Sequence, residues 1–212
     1  GEMTRGLLAD DPNNSYKGFG AYFLTLNRNK KSVSLDLKNQ QGLSVFYDLV
    51  KSADVVLNNF SAGVVKRLKI DYDHLSKVNP QVITCSITGY GETGNHSSRP
   101  AYDQIVQAYS GAMSITGPDA STPTRAGIPI GDLGSGLFSV IGILSALLSR
   151  EKTGKGQHLD LSLLDVQISL LTYMATMHTL SGVDPEPIGN AHFVHVPYNS
   201  FTTKDGFVVI AV

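Results

Sequence analysis

Val82-Ile-Thr-Cys-Ser-Ile-Thr-Gly-Tyr-Gly91 is the stretch whose reading decides the fold. A short run of apolar and β-branched residues, closed at once by a glycine turn, has the pattern of a strand. Working upstream, Asp71 can cap a short helix that ends before Pro80, and Ser61 or Ala62 can begin another that runs through Leu68. Ala53-Asp-Val-Val-Leu57 predicts a short buried strand. Gln40 to Ser52 sets Leu43, Phe46, Leu49 and Val50 at helical spacing, and the alternating Ser32–Leu37 predicts a strand before it. That arrangement is a βαβ unit. Strands alternating with helices imply an α/β fold, a Rossmann-like open parallel sheet with helices on both faces. Ligands of such sheets gather at the carboxyl ends of strands, here near Asn58-Asn59-Phe60 and Thr88-Gly89-Tyr90-Gly91.

Downstream, Gly89 to Pro100 predicts a loop, and Tyr102–Tyr109 a helix closed by Ser110-Gly111. The Pro- and Gly-rich residues 117–131 then lead irregularly into Gly127-Ile-Pro-Ile-Gly-Asp-Leu-Gly-Ser-Gly136. This stretch delivers one carboxylate, Asp132, between glycines, just before the apolar run to Arg150. Near a helix N-terminus, unpaired backbone N–H groups and the helix dipole favour an ionised carboxylate. Such a group can act as a nucleophile, and aspartate is also a preferred N-cap; these ten residues leave both roles open. Gln157–Leu161 predicts a further strand, Leu163 to Leu180 a helix, Ser181–Pro187 a linker, and Phe207–Val212 a strand at the end of the chain.

The 212 residues carry a formal net charge of -1, with 42% hydrophobic and 17% charged residues. This composition has no electrostatic footprint for nucleic acid and does not fit disorder. Cys85 is the only cysteine, so no internal disulfide can form; a reducing compartment is the default and a small buried hydrophobe its simplest role. The apolar segment 136–149 is shorter than the about 20 residues that a bilayer needs, so no membrane partner is expected. Thr153-Gly-Lys-Gly156 lacks the upstream glycine and following hydroxyl of a phosphate-binding loop, and Gly131-x-x-Gly134-x-Gly136 runs in the reverse order of a dinucleotide fingerprint. His192 and His195 have no further ligand at metal spacing, so loop histidines are expected rather than zinc. No nucleophile elbow surrounds Ser110 or Ser135.

Other pieces combine. They run in order from Gly1-Glu-x-Thr-Arg5 and Asn27–Ser32, leading into Leu35-Asp-Leu-Lys38, to Ala53-Asp-Val and Asn59-Phe60, Gly63 with Arg67-Leu68, and Asn79-Pro80. Ser86–Gly91, Tyr102-Asp103 with Gln107-Ala108, Thr116-Gly117, Gly131-Asp132 with Gly136, and Lys152–Gln157 follow. Together these motifs resemble the class III CoA-transferases, the CaiB/BaiF family that includes formyl-CoA transferase, along essentially the whole chain. Ser86–Gly91, Ile115–Pro118 and Gly189–Tyr198 look most like members acting on dicarboxylic acids.

The resemblance implies that Asp132 is the catalytic nucleophile and that the substrates are an acyl-CoA and a small carboxylic acid. It places Leu35 and Lys38 near the adenine and phosphate end of coenzyme A, Asn59 and Phe60 along the pantetheine, and Arg67 on a phosphate. Tyr102 is also counted in the CoA site. No metal or redox cofactor is implied. Racemases of 2-methylacyl-CoA in the same family carry a histidine where this chain has Tyr102, and a phenol is a poorer proton shuttle near pH 7 than an imidazole. The family's opening strand–loop–helix–strand, the bulk of its small domain and its C-terminal return have no counterpart here. The expectation is therefore a fragment with a large domain over 1–180, a linker over 181–200 and the start of a small domain over 201–212. In the family two chains interlock, which implies a homodimer or higher homo-oligomer. A second reading is a catalytically inactive remnant that self-associates and at most binds CoA. A cytoplasmic location is expected, with the mitochondrial matrix open for a eukaryotic source.

Overall fold

The computed structural model describes residues 2–212, which fall into two compact units, one ending at Asp48 and one over Leu49–Val212. In the first unit, β1 (Ser15–Tyr16) pairs antiparallel with β2 (Phe19–Gly20), and α1 (Ala21–Leu26) follows directly. The Phe19 and Phe23 rings stack 5.4 Å apart, with the Arg5 guanidinium 4.3 Å from the Phe23 centroid. α2 (Gln40–Val50) forms where its apolar spacing predicts. Ser32–Leu37 does not become the predicted strand, and its residues are mostly exposed. Alternation produces a strand only where a neighbouring edge takes its N–H and C=O groups; among the described residues none does, so the predicted βαβ unit lacks its first strand.

The second unit is built on β3 (Val55–Asn58), β4 (Ile83–Thr88) and β5 (His158–Ser162), a parallel sheet in the order β3-β4-β5. Val55 lies opposite Ile83, and Cys85 opposite Leu159. α3 (Val64–Arg67) and α4 (Tyr72–Val78) cross between β3 and β4; α5 (Asp103–Tyr109) and α6 (Ile130–Thr153) cross between β4 and β5. Parallel neighbours require such crossovers. β4 forms where the sequence predicts a strand; it is the central one and is buried almost throughout. Cys85 is completely buried, and burial, with the charge of Asp160 adding to it, pushes its thiol pKa up, which suits a packing role.

Alternation along the strands gives the sheet two unlike faces. Cys85 and Leu159 share the apolar face, on which α6 lies: a Cβ added at Gly142 would sit 3.4 Å from Leu159 Cδ1. Asn58, Thr84, Ser86 and His158 share the polar one. Arg150 near the end of α6 pairs with Asp54 before β3 at 2.7 Å, and Gly154 closes the helix in the left-handed conformation.

α6 is longer than the apolar segment predicted for it, starting at Ile130 and running 24 residues. With a mean hydropathy of 1.7 over its most apolar window it is, by length and composition, long enough to cross a membrane, contrary to the shorter segment read from sequence. Gly131, Gly134, Ser135, Ser139 and Ala146 are nevertheless buried, as in a core helix. On its other side Leu133, Leu137, Val140, Ile141, Leu144 and Leu148 are exposed. The helix predicted over Leu163–Leu180 is two, α7 (Leu163–Leu170) and α8 (Tyr173–Ser181), because Thr172 between them takes φ 51, outside the right-handed helical region. β6 (Tyr198–Thr202) and β7 (Phe207–Ala211) close the chain as an antiparallel pair.

Candidate active site

The first turn of α6 is organised from outside the helix. Pro129 occupies the N-cap and has no side chain able to accept a hydrogen bond there, so Asp132 lies within the first turn and is not the cap. A helix start leaves its first backbone donors without intrahelical partners. Here Ile130 N–H donates to Ile128 O (2.8 Å), and the N–H groups of Gly131 and Asp132 both donate to Asp103 Oδ1, at 2.8 and 3.3 Å. Leu133 N–H returns to Pro129 O (2.9 Å). These donors are therefore unavailable for an oxyanion, and they do not stabilise the carboxylate of Asp132.

That carboxylate is exposed and forms no hydrogen bond among the described residues. Its pKa is raised, first by desolvation from the surrounding protein and then by the neighbouring charge of Asp103. The direction is opposite to that expected of an aspartate at a helix N-terminus. Asp103 has taken the place in the helix field that the sequence reading gave to Asp132.

Asp103 is itself held. Gln107, one turn further along α5 and 1% exposed, donates from Nε2 to Asp103 Oδ2 at 2.7 Å and accepts Ala126 N–H on Oε1 at 2.9 Å. One side chain thus fixes the acid and the chain entering α6. Close approach demands glycine here: a Cβ at Gly131 would meet Val106 Cγ2 at 2.9 Å and Asp103 Oδ1 at 3.1 Å, and one at Gly134 would meet Leu170 Cδ1 at 3.0 Å. Gln167 Oε1, from α7, is buried beside Gly131 without a hydrogen-bond partner.

A cavity of about 220 Å³ opens at the carboxyl ends of β3 and β4, where an α/β sheet gathers its ligands. Asn59, Phe60 and Tyr102 line it together, so the structure unites three of the residues assigned to CoA from sequence. Asn59 Nδ2 also donates to Ile87 O at 2.7 Å, tying β3 to β4 at the rim, while Phe60 and Tyr102 are 43% and 75% exposed. Tyr102 is the residue before Asp103, which brings this wall next to the first turn of α6. The wall is brought close because Gly89 has no side chain: a Cβ there would lie 2.6 Å from that of Ala101.

Two further residues line it: Thr88, within the strand end where ligands are expected, and Arg99, which the sequence does not single out. Thr88 Oγ1 is buried without a hydrogen-bond partner. Arg99 lies 5.8 Å from both the Tyr90 and Tyr109 ring centroids, approaches His96 Nδ1 at 3.4 Å, and has no carboxylate partner among the described residues. Asp103 and Gln107 were noticed as a motif without a role, although their i,i+4 spacing places both on one helix face. Arg67 is exposed on α3 and does not line the cavity. Leu35 and Lys38 precede α2 in the other unit, where Lys38 N–H donates to Asp36 Oδ1 at 3.0 Å.

The polar face of the sheet holds a second cleft, of about 380 Å³. Thr84 Oγ1 and His158 Nδ1 are 2.7 Å apart, and His158 Nε2 and Glu92 Oε2 are 2.9 Å apart. With the proton on Nε2, the ring donates to Glu92 and accepts from Thr84. His192 organises its own loop, its Nδ1 accepting the N–H groups of Val194 and His195 at 3.1 Å. Among the described residues no group of three or more His, Cys, Asp or Glu is arranged to hold a metal ion.

The sequence matches CoA-transferase family III along residues 1–212. It is 42% identical over 192 residues to the succinate–glutarate CoA-transferase of Agrobacterium fabrum, covering 91% of this chain and 48% of that protein. It is also 42% identical over 190 residues to the acetyl-CoA:oxalate CoA-transferase of Acetobacter aceti, with 89% and 49% covered. The crystal structure of a CAIB/BAIF family protein from Brucella suis superposes with a TM-score of 0.91 at 39% identity, covering all of this chain and 56% of that one. The chain thus spans about half the length of the curated relatives it matches.

Proposed function

This chain belongs to CoA-transferase family III, and on that premise we propose that it moves coenzyme A from an acyl-CoA thioester to a dicarboxylic acid, with Asp132 as the nucleophile. The observation that carries the reading is the state of Asp132: a carboxylate with no hydrogen-bond partner among the described residues, on a helix first turn held by Asp103, whose neighbour Tyr102 lines the cavity at the carboxyl ends of the parallel sheet. The relatives named for glutarate and oxalate support a dicarboxylate acceptor.

The chemistry follows from a partly desolvated carboxylate that has no hydrogen-bond donor among the described residues. One Asp132 oxygen attacks the thioester carbonyl carbon; the C–S bond breaks, leaving a mixed anhydride and the CoA thiolate. The thiolate attacks the aspartyl carbonyl carbon and expels the donor acid, giving an aspartyl-CoA thioester. The acceptor carboxylate attacks that carbonyl and frees the thiolate again, which then attacks the acceptor's acyl carbon and returns Asp132 as a carboxylate. The desolvation that raises the Asp132 pKa also makes its oxygen more basic, and so a stronger nucleophile once ionised. Both intermediates hydrolyse readily, so the transfer requires that water be kept from Asp132 while they last.

Asn59, Phe60 and Tyr102 are assigned to the pantetheine, and Arg99, a guanidinium without an acidic partner, supplies positive charge at the same wall. Arg67, Leu35 and Lys38 are kept for the nucleotide end of CoA by resemblance alone. The exposed stripe from Leu133 to Leu148 supports a homo-oligomer, for which light scattering is the test. Transfer from succinyl-CoA to glutarate, followed by chromatography of the thioesters, tests the function. We expect transfer by the unaltered chain and none by Asp132→Ala; CoA binding without transfer by the unaltered chain would reduce the reading to a CoA-binding protein.

A further inference from the structure

Asp103 and Gln107 have a place in the geometry but no role in the transfer steps above. Three observations bear on them. Pro129 leaves the first turn of α6 without a side-chain cap, and Asp103 supplies it from α5 by accepting the N–H groups of Gly131 and Asp132. Gln107, buried, fixes the other oxygen of Asp103 and the Ala126 N–H just before the turn. Among the described residues, the carboxylate of Asp132 is left without any donor.

Backbone donors at a helix start normally stabilise a carboxylate in the first turn and so lower its basicity. We propose that Asp103, oriented by Gln107, is the positioning residue of the nucleophile: it binds the first-turn donors of α6 so that Asp132 is presented at a fixed place with its carboxylate unquenched. The inference rests on Asp132 being the nucleophile. It adds that the reactivity of that group is set by a second acid on another helix.

The charges around α6 agree with this division. Among the elements packed against it, α5 carries Asp103 and Tyr109, α7 carries Asp165 and β4 carries Cys85, while His158 and Asp160 of β5 lie on the other face of the sheet. Of these, Asp103 is the charge that acts on Asp132. Its effect has the direction expected of two neighbouring carboxylates, of which the one holding the donors stays charged more readily.

The test uses Asp103→Asn, which keeps an acceptor for the cap and removes the charge, and Asp103→Ala, which removes both. The Cγ resonance of Asp132 is titrated by carbon NMR in the unaltered chain and in Asp103→Asn, and the rate of covalent labelling at Asp132 by succinyl-CoA is measured for all three. We expect a lower titration midpoint in Asp103→Asn, with the acid limb of labelling moved the same way, and labelling slowed about 100-fold in Asp103→Ala, the order of loss that misplacing a reacting group by about 1 Å brings. An unchanged midpoint in Asp103→Asn, or labelling of Asp103→Ala at the unaltered rate, would overturn the proposal. If the unaltered chain takes no label, the nucleophile reading fails by itself, and the titration still decides whether Asp103 controls the Asp132 carboxylate.

Discussion

The parallel sheet separates two acidic clusters that look alike in composition and differ in how their groups are satisfied. On the polar face, Glu92 accepts from His158, its own N–H donates to Asp160, and His158 also meets Thr84. Beyond the apolar face, at the start of α6, Asp103 is fully engaged while the Asp132 carboxylate has no partner among the described residues. A carboxylate whose lone pairs are occupied holds structure together. One kept apart from its donors is ready to react, and its raised pKa records the cost of that state. A count of titratable groups would favour the Thr84–His158–Glu92 cluster as the active site. Satisfaction of hydrogen bonds favours Asp132.

The contrast can be broken most sharply at its reactive member. Replacing Asp132 by Ala should lower transfer by about 10³-fold or more, while thermal unfolding and circular dichroism stay close to those of the unaltered chain; equal activity would remove the nucleophile. His158→Ala should do the reverse. It leaves Glu92 and Thr84 without their partner and should cost about 1–3 kcal/mol of stability, read as a lower Tm, with little change in kcat for the folded fraction. Gly131→Ala should damage both properties, because its Cβ would press on Val106 and on the Asp103 carboxylate; overpacking of this kind costs about 1–3 kcal/mol, and labelling of Asp132 should slow with it.

Smaller effects sharpen the same contrast. Arg99→Ala should raise the KM of the anionic substrate that it meets by about 10-fold, equivalent to about 1.4 kcal/mol, and comparing CoA thioester with dicarboxylate shows which. The pH dependence of stability is smaller still. Asp132 binds its proton more tightly in the folded chain than in the unfolded one, so its contribution to stability declines as pH rises from the ordinary value of 3.8 through the raised one. Asp132→Asn should flatten the denaturation profile in that acidic interval, and a profile unchanged by the substitution would contradict the raised pKa.

Much of this arrangement is legible in the chain itself. β4 announces itself as a short run of apolar and β-branched residues closed by a glycine turn, and Asp132 as the one carboxylate set between glycines just before a long apolar run. The coordinates depart from the pattern where a partner decides the outcome. Ser32–Leu37 alternates like a strand but finds no edge, and the apolar run after Gly136 proves to be the continuation of a helix that starts at Ile130. The cap of that helix comes from α5, through pairs separated by 28 and 29 positions, and no local pattern encodes so distant a contact. For the same reason Arg99 reads as an ordinary loop residue until the cavity places it with Asn59 and Tyr102, whereas Thr88 lies at the strand end where the sequence already expects ligands.

The most direct measurement is covalent capture on the 212-residue chain. The protein is incubated with succinyl-CoA, treated with hydroxylamine or borohydride, and analysed by intact mass and peptide mapping. The account expects a single modified side chain, Asp132, as its hydroxamate or its reduced alcohol, and none in Asp132→Ala. Modification at another residue, or none in a chain that still transfers CoA, would contradict it.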